Sequence, residues 1–115
     1  MPDYFKSVHT ETRFAADQFT KADLFIGHHL FVGLNCFEPG QSQRLHSHGG
    51  ADKFYLILAG KASITVGDDT REVGEGTIVW APADLPHGVV EVSQPTVMLV
   101  AIAPPPGGAT RLPTR

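Results

Sequence analysis

His46 and His48 stand one residue apart, directly before Gly49 and Gly50. On an extended strand that spacing turns both imidazoles to one face. Two imidazoles on one face can share a metal ion, and neutral imidazole is a ligand for zinc, iron, copper and nickel. His87 follows the turn-rich run Pro82 to Pro86 and opens the apolar stretch Gly88 to Val92. Both histidine segments follow a Gly/Pro turn, which suits placement at the same end of a barrel. Three imidazoles converging from two strands leave positions open for water or substrate, the form of a catalytic or ligand-exchanging metal centre. His28 and His29 are adjacent, so on a strand they face opposite ways. They are read as satisfied or half-exposed side chains.

Such histidines need strands buried on one side and turns that bring the chain back to one end. Residues 24–37 are rich in β-formers, with Gly27 and Gly33 marking bends in two strand pieces. Pro39 and Gly40 make a turn. Residues 54–58 are apolar at every position, which predicts a strand buried on both faces. After a turn at Gly60, residues 61–66 alternate, and Gly67 to Asp69 read as a hairpin whose return strand begins at Arg71. Short strands follow at 77–81 and 88–92, and residues 96–103 are again apolar on both sides. Pro104 to Pro106 end that strand, and 104–115 reads as a flexible tail. Residues 1–23 carry scattered phenylalanines without a period and read as an arm with short strands covering a sheet edge. No segment carries a sustained helical stripe. The pattern predicts one all-β domain over 1–115, a sandwich or barrel.

The chain's 115 residues suit one domain with a real core. A formal charge of -3 without a basic cluster argues against nucleic acid as a partner. No apolar run reaches the roughly 20 residues that cross a bilayer, and the N-terminus lacks a secretory pattern. The single Cys36 falls in an apolar strand and is read as a buried, reduced side chain of a cytoplasmic protein. No serine or cysteine nucleophile arrangement is present, and no catalytic residue is assigned.

Taken together, the chain resembles a small single-domain cupin of the conserved-barrel type. That family's first motif is a glycine, five residues, His-x-His, three or four residues, a glutamate, six residues and a glycine. Here the fixed points fall on Gly40, His46, His48, Lys53 and Gly60. The second motif is a glycine, five residues, Pro-x-Gly, two residues, a histidine, three residues and an asparagine. Here they fall on Gly76, Pro82, Asp84, His87 and Glu91. The resemblance implies a double-stranded β-helix, or jelly-roll, barrel. It also implies a divalent metal (iron, manganese, nickel or zinc) on His46, His48 and His87.

Lys53 stands where the family places its glutamate, and an ammonium facing a dication repels it. Three arrangements meet this. Asp52 can supply the carboxylate if Gly49 and Gly50 allow a local bulge. The metal can be held by three histidines alone, with Lys53 drawn aside. Or the site is metal-free and Lys53 serves inside the barrel as a ligand-binding cation or base. Tyr55 and Ile57 share the Lys53 face by period two. Tyr55 joins Lys53 as a pocket candidate, while core packing is the expectation for Tyr55, Ile57 and Trp80. Asp84 replaces the motif's glycine in a turn, where Asp tolerates left-handed φ. Arg44 shares the parity of the two histidines. The expected function is a metal-dependent enzyme of dioxygenase or isomerase type, an oxidoreductase in the first case, acting on a small polar molecule. The alternative is a non-catalytic, metal-free cupin that binds a small ligand. The two-sided apolar strands predict a homodimer, with neither nucleic acid nor membrane as partner.

Overall fold

The computed structural model describes residues 3–47 and 49–106. The elements are α1 (Val8–Glu11), β1 (Thr20–Ile26), β2 (Phe31–Phe37), β3 (Gln43–His46), β4 (Asp52–Ala59), β5 (Lys61–Val66), β6 (Asp69–Gly74), β7 (Ile78–Ala81), β8 (His87–Val92) and β9 (Thr96–Ala103). A five-stranded sheet runs β1-β2-β9-β4-β7 and a four-stranded sheet runs β3-β8-β5-β6. Every pairing is antiparallel. The inner faces meet in one core that includes Phe31, Tyr55, Ile57, Met98 and Ile102 from the first sheet and Ile64, Val89 and Val92 from the second. Each such side chain contributes about 1.5–3 kcal/mol on burial, so this seam is the main stabilising layer. The all-β jelly-roll expectation holds.

The turns close where glycine or its substitute takes a left-handed backbone. Gly40, Gly60 and Gly76 have φ of 88°, 90° and 87°, and Asp84 has φ 70°. Side chains pay steric strain there, and Asp less than most residues. Asp84 in the place of a motif glycine is therefore accommodated as expected.

Cross-strand rows show which face each residue takes. Phe31, Ile102, Lys53 and Ala81 form an inner row, while Val32, Ala101, Phe54 and Trp80 form an outer one. Part of the outer face is covered by the chain itself. Leu24, Leu34, Cys36 and Val97 cluster there, with Val8 of α1 packed on them. Cys36 is a buried free thiol. At the β7 edge the cover ends, and Trp80 and Ile78 are 57% and 62% exposed. The expectation of a core Trp80 is thus corrected. β7 is an edge strand, and alternation puts Val79 inward and Trp80 outward.

The N-terminal arm includes the start of a short edge strand, as its sequence reading expects, and departs from that reading in one helical turn. β1 begins at Thr20, one of the short strands expected within residues 1–23, and its polar alternation is that of an edge strand. A single helical turn spans Val8–Glu11, too short to show a period. The Ser7 carbonyl accepts the N–H groups of Thr10 and Glu11 at 3.1 and 3.3 Å, and the Thr10 hydroxyl adds a third bond at 2.9 Å. Among the described residues, no helix is long and apolar enough to cross a membrane. Of the tail predicted over 104–115, residues 107–115 lie outside the described residues.

Candidate functional site

β3 and β8 pair so that His46 lies directly opposite His87. Their ring centroids are 4.5 Å apart, with the planes tilted by 63°. His46 Nδ1 lies 2.9 Å from the Arg44 carbonyl, and His87 Nδ1 lies 3.0 Å from the Leu85 carbonyl. A carbonyl oxygen only accepts, so Nδ1–H is the donor on both rings. Nε2 is then the lone-pair nitrogen of each, the tautomer a metal-ligating imidazole requires. His48 lies outside the described residues. β3 itself ends at His46, so strand alternation does not carry the same-face argument on to His48.

Burial keeps both rings neutral. It pushes the His46 pKa down, with the charges of Lys53, Lys21 and Arg44 acting in the same direction against its bond to Arg44. Burial also depresses His87, to about 4, with Lys53 and His46 adding to the effect. Neutral imidazoles need lose no proton to act as ligands at neutral pH.

Lys53 is 1% exposed and lies on the inner face. Its Nζ is 4.5 Å from the Tyr55 ring centroid. Tyr55 is buried, its ring 6.2 Å from that of His87, and its hydroxyl donates to Gln43 Oε1 at 3.1 Å. Burial raises the Tyr55 pKa, so the phenol remains a donor. Gln43 escaped the sequence reading for a physical reason. It lies three residues from His46, and strict alternation puts the two on opposite faces. A register shift in β3 between them lets Gln43 reach the buried Tyr55 while His46 meets His87.

Asp52 is not brought to this group, which corrects its assignment as an alternate ligand. It occupies the exposed face of β4, and its Oδ1 accepts the Ala83 N–H at 3.0 Å. Asp84 Oδ1 in turn accepts the Gly50 N–H at 3.2 Å. The two carboxylates fasten the loop after His46 to the turn before His87. The register of β4 is continuous from Asp52 to Ile57 and shifts only beyond it, so parity gives the inward place to Lys53. His28 and His29 lie in the turn between β1 and β2, with ring centroids 6.3 Å apart. Arg44 is exposed and lines, with Lys21, Gln43 and His46, a hollow of about 560 Å³ beside β3.

Residues 33–102 match the family model of the cupin domain. The chain belongs to the cupin family. An uncharacterized protein of Streptomyces coelicolor is 35% identical to this cupin over 78 residues, covering 66% of this chain and 71% of that protein. The dimethylsulfoniopropionate lyase DddW of Ruegeria pomeroyi is 33% identical over 61 residues, which are 53% of this chain and 40% of the lyase. Among solved structures, a Thermus thermophilus protein superposes with TM-score 0.84 at 32% identity, over 89% of this chain and 98% of its own. KdgF of a Halomonas species superposes with TM-score 0.80 at 16% identity, over 92% and 97%, and shows the fold alone.

The donors at the barrel end fit a metal that accepts nitrogen. Two neutral imidazoles are set in the ligating tautomer, and a carboxylate is not aimed at them by β4. Such a set suits iron, nickel or zinc better than magnesium or calcium. Among the described residues, His, Cys, Asp and Glu form no group of three or more that could hold an ion.

The depressed His87 pKa predicts a pH dependence of stability for chelator-treated protein. The unfolded imidazole, near its ordinary 6.5, takes a proton that the folded ring, near 4, refuses. The stabilisation is therefore full above pH 6.5 and is lost as pH falls towards 4. Among the described residues Lys53, His46 and Tyr55 face His87, and the His46 pKa is lowered in the same direction. After discounting for solvent screening, moving from pH 7.5 to 5 costs on the order of 1–2 kcal/mol. Urea unfolding at the two pH values measures it, beside His87→Gln. An equal loss in both proteins removes His87 as the cause.

Proposed function

We propose that this cupin binds a divalent metal through His46, His48 and His87 and acts there on a small polar molecule. The observation that carries the reading is the pair of main-chain acceptors at Arg44 and Leu85. They take the Nδ1 protons of two cross-strand histidines and make Nε2 the electron-pair donor of both. Bound at that point, iron, manganese, nickel or zinc supplies a Lewis-acidic centre with exchangeable positions, suited to dioxygenase- or isomerase-type chemistry. The chain's own residues do the rest. His46 and His87 hold their rings neutral, Tyr55 offers a buried wall fixed by Gln43, and the Asp52 and Asp84 carboxylates keep the two histidine loops in register. An enzymatic role is supported by a relative named as a lyase, although the chain spans only 40% of that protein.

A second reading, a metal-free cupin that binds a small ligand, is favoured by the buried Lys53 on the inner face. One experiment separates the two. Untagged protein purified without chelator is analysed for metals beside the His46→Ala, His48→Ala double variant. The metal reading expects near-equimolar metal in the wild type and a drop of about tenfold or more in the variant. Equal and negligible metal in both proteins sinks it and leaves the ligand-binding reading.

A further inference from the structure

We infer that the barrel end carrying His46 and His87 takes a small carboxylate ligand, whose negative charge is met by Lys53 inside and by Lys21 and Arg44 at the mouth. The inference rests on reading that end as the ligand site, and it holds with or without a metal.

The molecule carries -3 overall. Yet among the described residues Lys53 acts as a cation on both histidine rings, and Lys21 and Arg44 act as cations on His46. A local positive field in a net negative protein concentrates anions and speeds their arrival.

Lysine is seldom fully buried, and its ammonium is expensive to take out of water. Lys53 is nevertheless 1% exposed, on the inner row between Ile102 and Ala81. Its Nζ is held against the Tyr55 ring at 4.5 Å, a cation–π contact that offsets part of the cost. Lys53 and Tyr55 lie behind the residues that line the hollow, and Tyr55 connects the two. Its hydroxyl reaches Gln43, and its ring neighbours His87, which faces His46. Gln43 and His46 line the hollow.

The hollow of about 560 Å³ is bounded by Phe19, Lys21, Gln43, Arg44, His46 and Ser47. That volume lies in the range of small-molecule pockets. Phe19 stacks on Phe37 with centroids 4.6 Å apart and carries Lys21 Nζ 5.6 Å above its ring, which fixes one cation at the rim. Arg44, on β3, also lines the hollow. One buried ammonium matches one negative charge. A phosphate dianion asks for several converging donors, and Arg, the side chain with the planar fork for it, stands here at the exposed rim.

The test uses the full chain, chelator-treated, at low ionic strength. Malonate and lactate are compared with malonamide and lactamide, and inorganic phosphate is a separate arm. Titration calorimetry and thermal unfolding are the readouts. At saturating ligand the two acids are expected to raise the unfolding midpoint by about 2 °C or more, and the amides by much less. Lys53→Met is expected to weaken acid binding at least tenfold. The Lys21→Ala, Arg44→Ala pair is expected to slow association and flatten its salt dependence. Amides binding as well as acids, neither acid binding, or phosphate binding as tightly as malonate overturns the inference. So does a folded Lys53→Met protein with unchanged malonate affinity. If Lys53→Met does not fold, the acid–amide comparison in the wild type decides alone. Because no metal is present, failure of the metal reading leaves these outcomes untouched, and metal loading measured without carboxylate tests that reading separately.

Discussion

Lys53→Glu is expected to tighten the binding of Zn²⁺ or Ni²⁺ by about 100-fold and to abolish carboxylate binding in the same protein. Lys53 occupies the inner position of β4, paired with Ile102 and Ala81, so a glutamate there projects to the same side as the Tyr55 ring. The exchange alters the charge beside the histidines by two units. At an effective dielectric of 20, one unit charge acting on another at 5 Å is worth about 3 kcal/mol, and desolvation takes back a large part. A net gain of about 3 kcal/mol, or 100-fold, is what remains. Competition titration with a chromogenic chelator measures the metal arm and calorimetry with malonate the anion arm, both on protein shown to be folded by circular dichroism. Metal affinity unchanged within a factor of two removes Lys53 from the surroundings of the ion. Retained malonate binding removes it from the ligand site.

The asymmetry between what the sequence made legible and what it hid has a physical basis. Gly40, Gly60, Gly76 and Asp84 sit at positive φ, where few residue types are tolerated, so the turn chemistry is written in residue identity. With those turns fixed, the pairing of His46 with His87 follows, and the motif spacing located both. Asp52 against Lys53 was open because one bulge in the loop before β4 exchanges them. A one-residue slip inverts a whole strand, and nothing in Gly49 or Gly50 declares whether it occurs. The same effect hid Gln43, whose place depends on the shift within β3. Lys21 and Phe19 were hidden differently. Their segment has no hydrophobic period, and it is ordered by contacts made far along the chain, such as Phe19 on Phe37 and Gln41 Nε2 donating to the Ala15 carbonyl at 2.8 Å. The order of the hollow's Phe19 and Lys21 side therefore comes from contacts that no local pattern announces, whereas the His46–His87 pairing, also long-range, is announced by motif spacing. Trp80 combined a clear signal with a wrong inference. Alternation gave its phase, but only the strand order shows that β7 is an edge.

Gly88→Ala is expected to damage the site without touching a ligand. Gly88 follows His87 on β8, against the shifted part of β3. A Cβ there meets the Gln43 carbonyl oxygen at 2.9 Å and the Arg44 carbonyl carbon and oxygen at 3.0 Å. These are backbone atoms, which cannot rotate away as a side-chain tip can. The Arg44 oxygen is also the acceptor that fixes the His46 tautomer. Relief requires β3 to move off β8 by several tenths of an ångström, carrying Gln43 from Tyr55 and His46 from His87 together. Overpacking of this kind costs about 1–3 kcal/mol in stability. The loss in function should be larger in proportion, because a ligand held by two strands is sensitive to their separation, and a fall in metal affinity of about tenfold or more is expected. Urea unfolding measures the first and chelator competition the second. Val89→Ala, which empties a buried position on the same strand without pushing on β3, controls for general destabilisation. If Gly88→Ala and Val89→Ala lower metal affinity equally at equal stability loss, the Arg44 carbonyl is not what sets the His46 ring for its ligand. A selective loss in Gly88→Ala means that the close approach of two backbones, permitted by a missing side chain, holds the two histidines together.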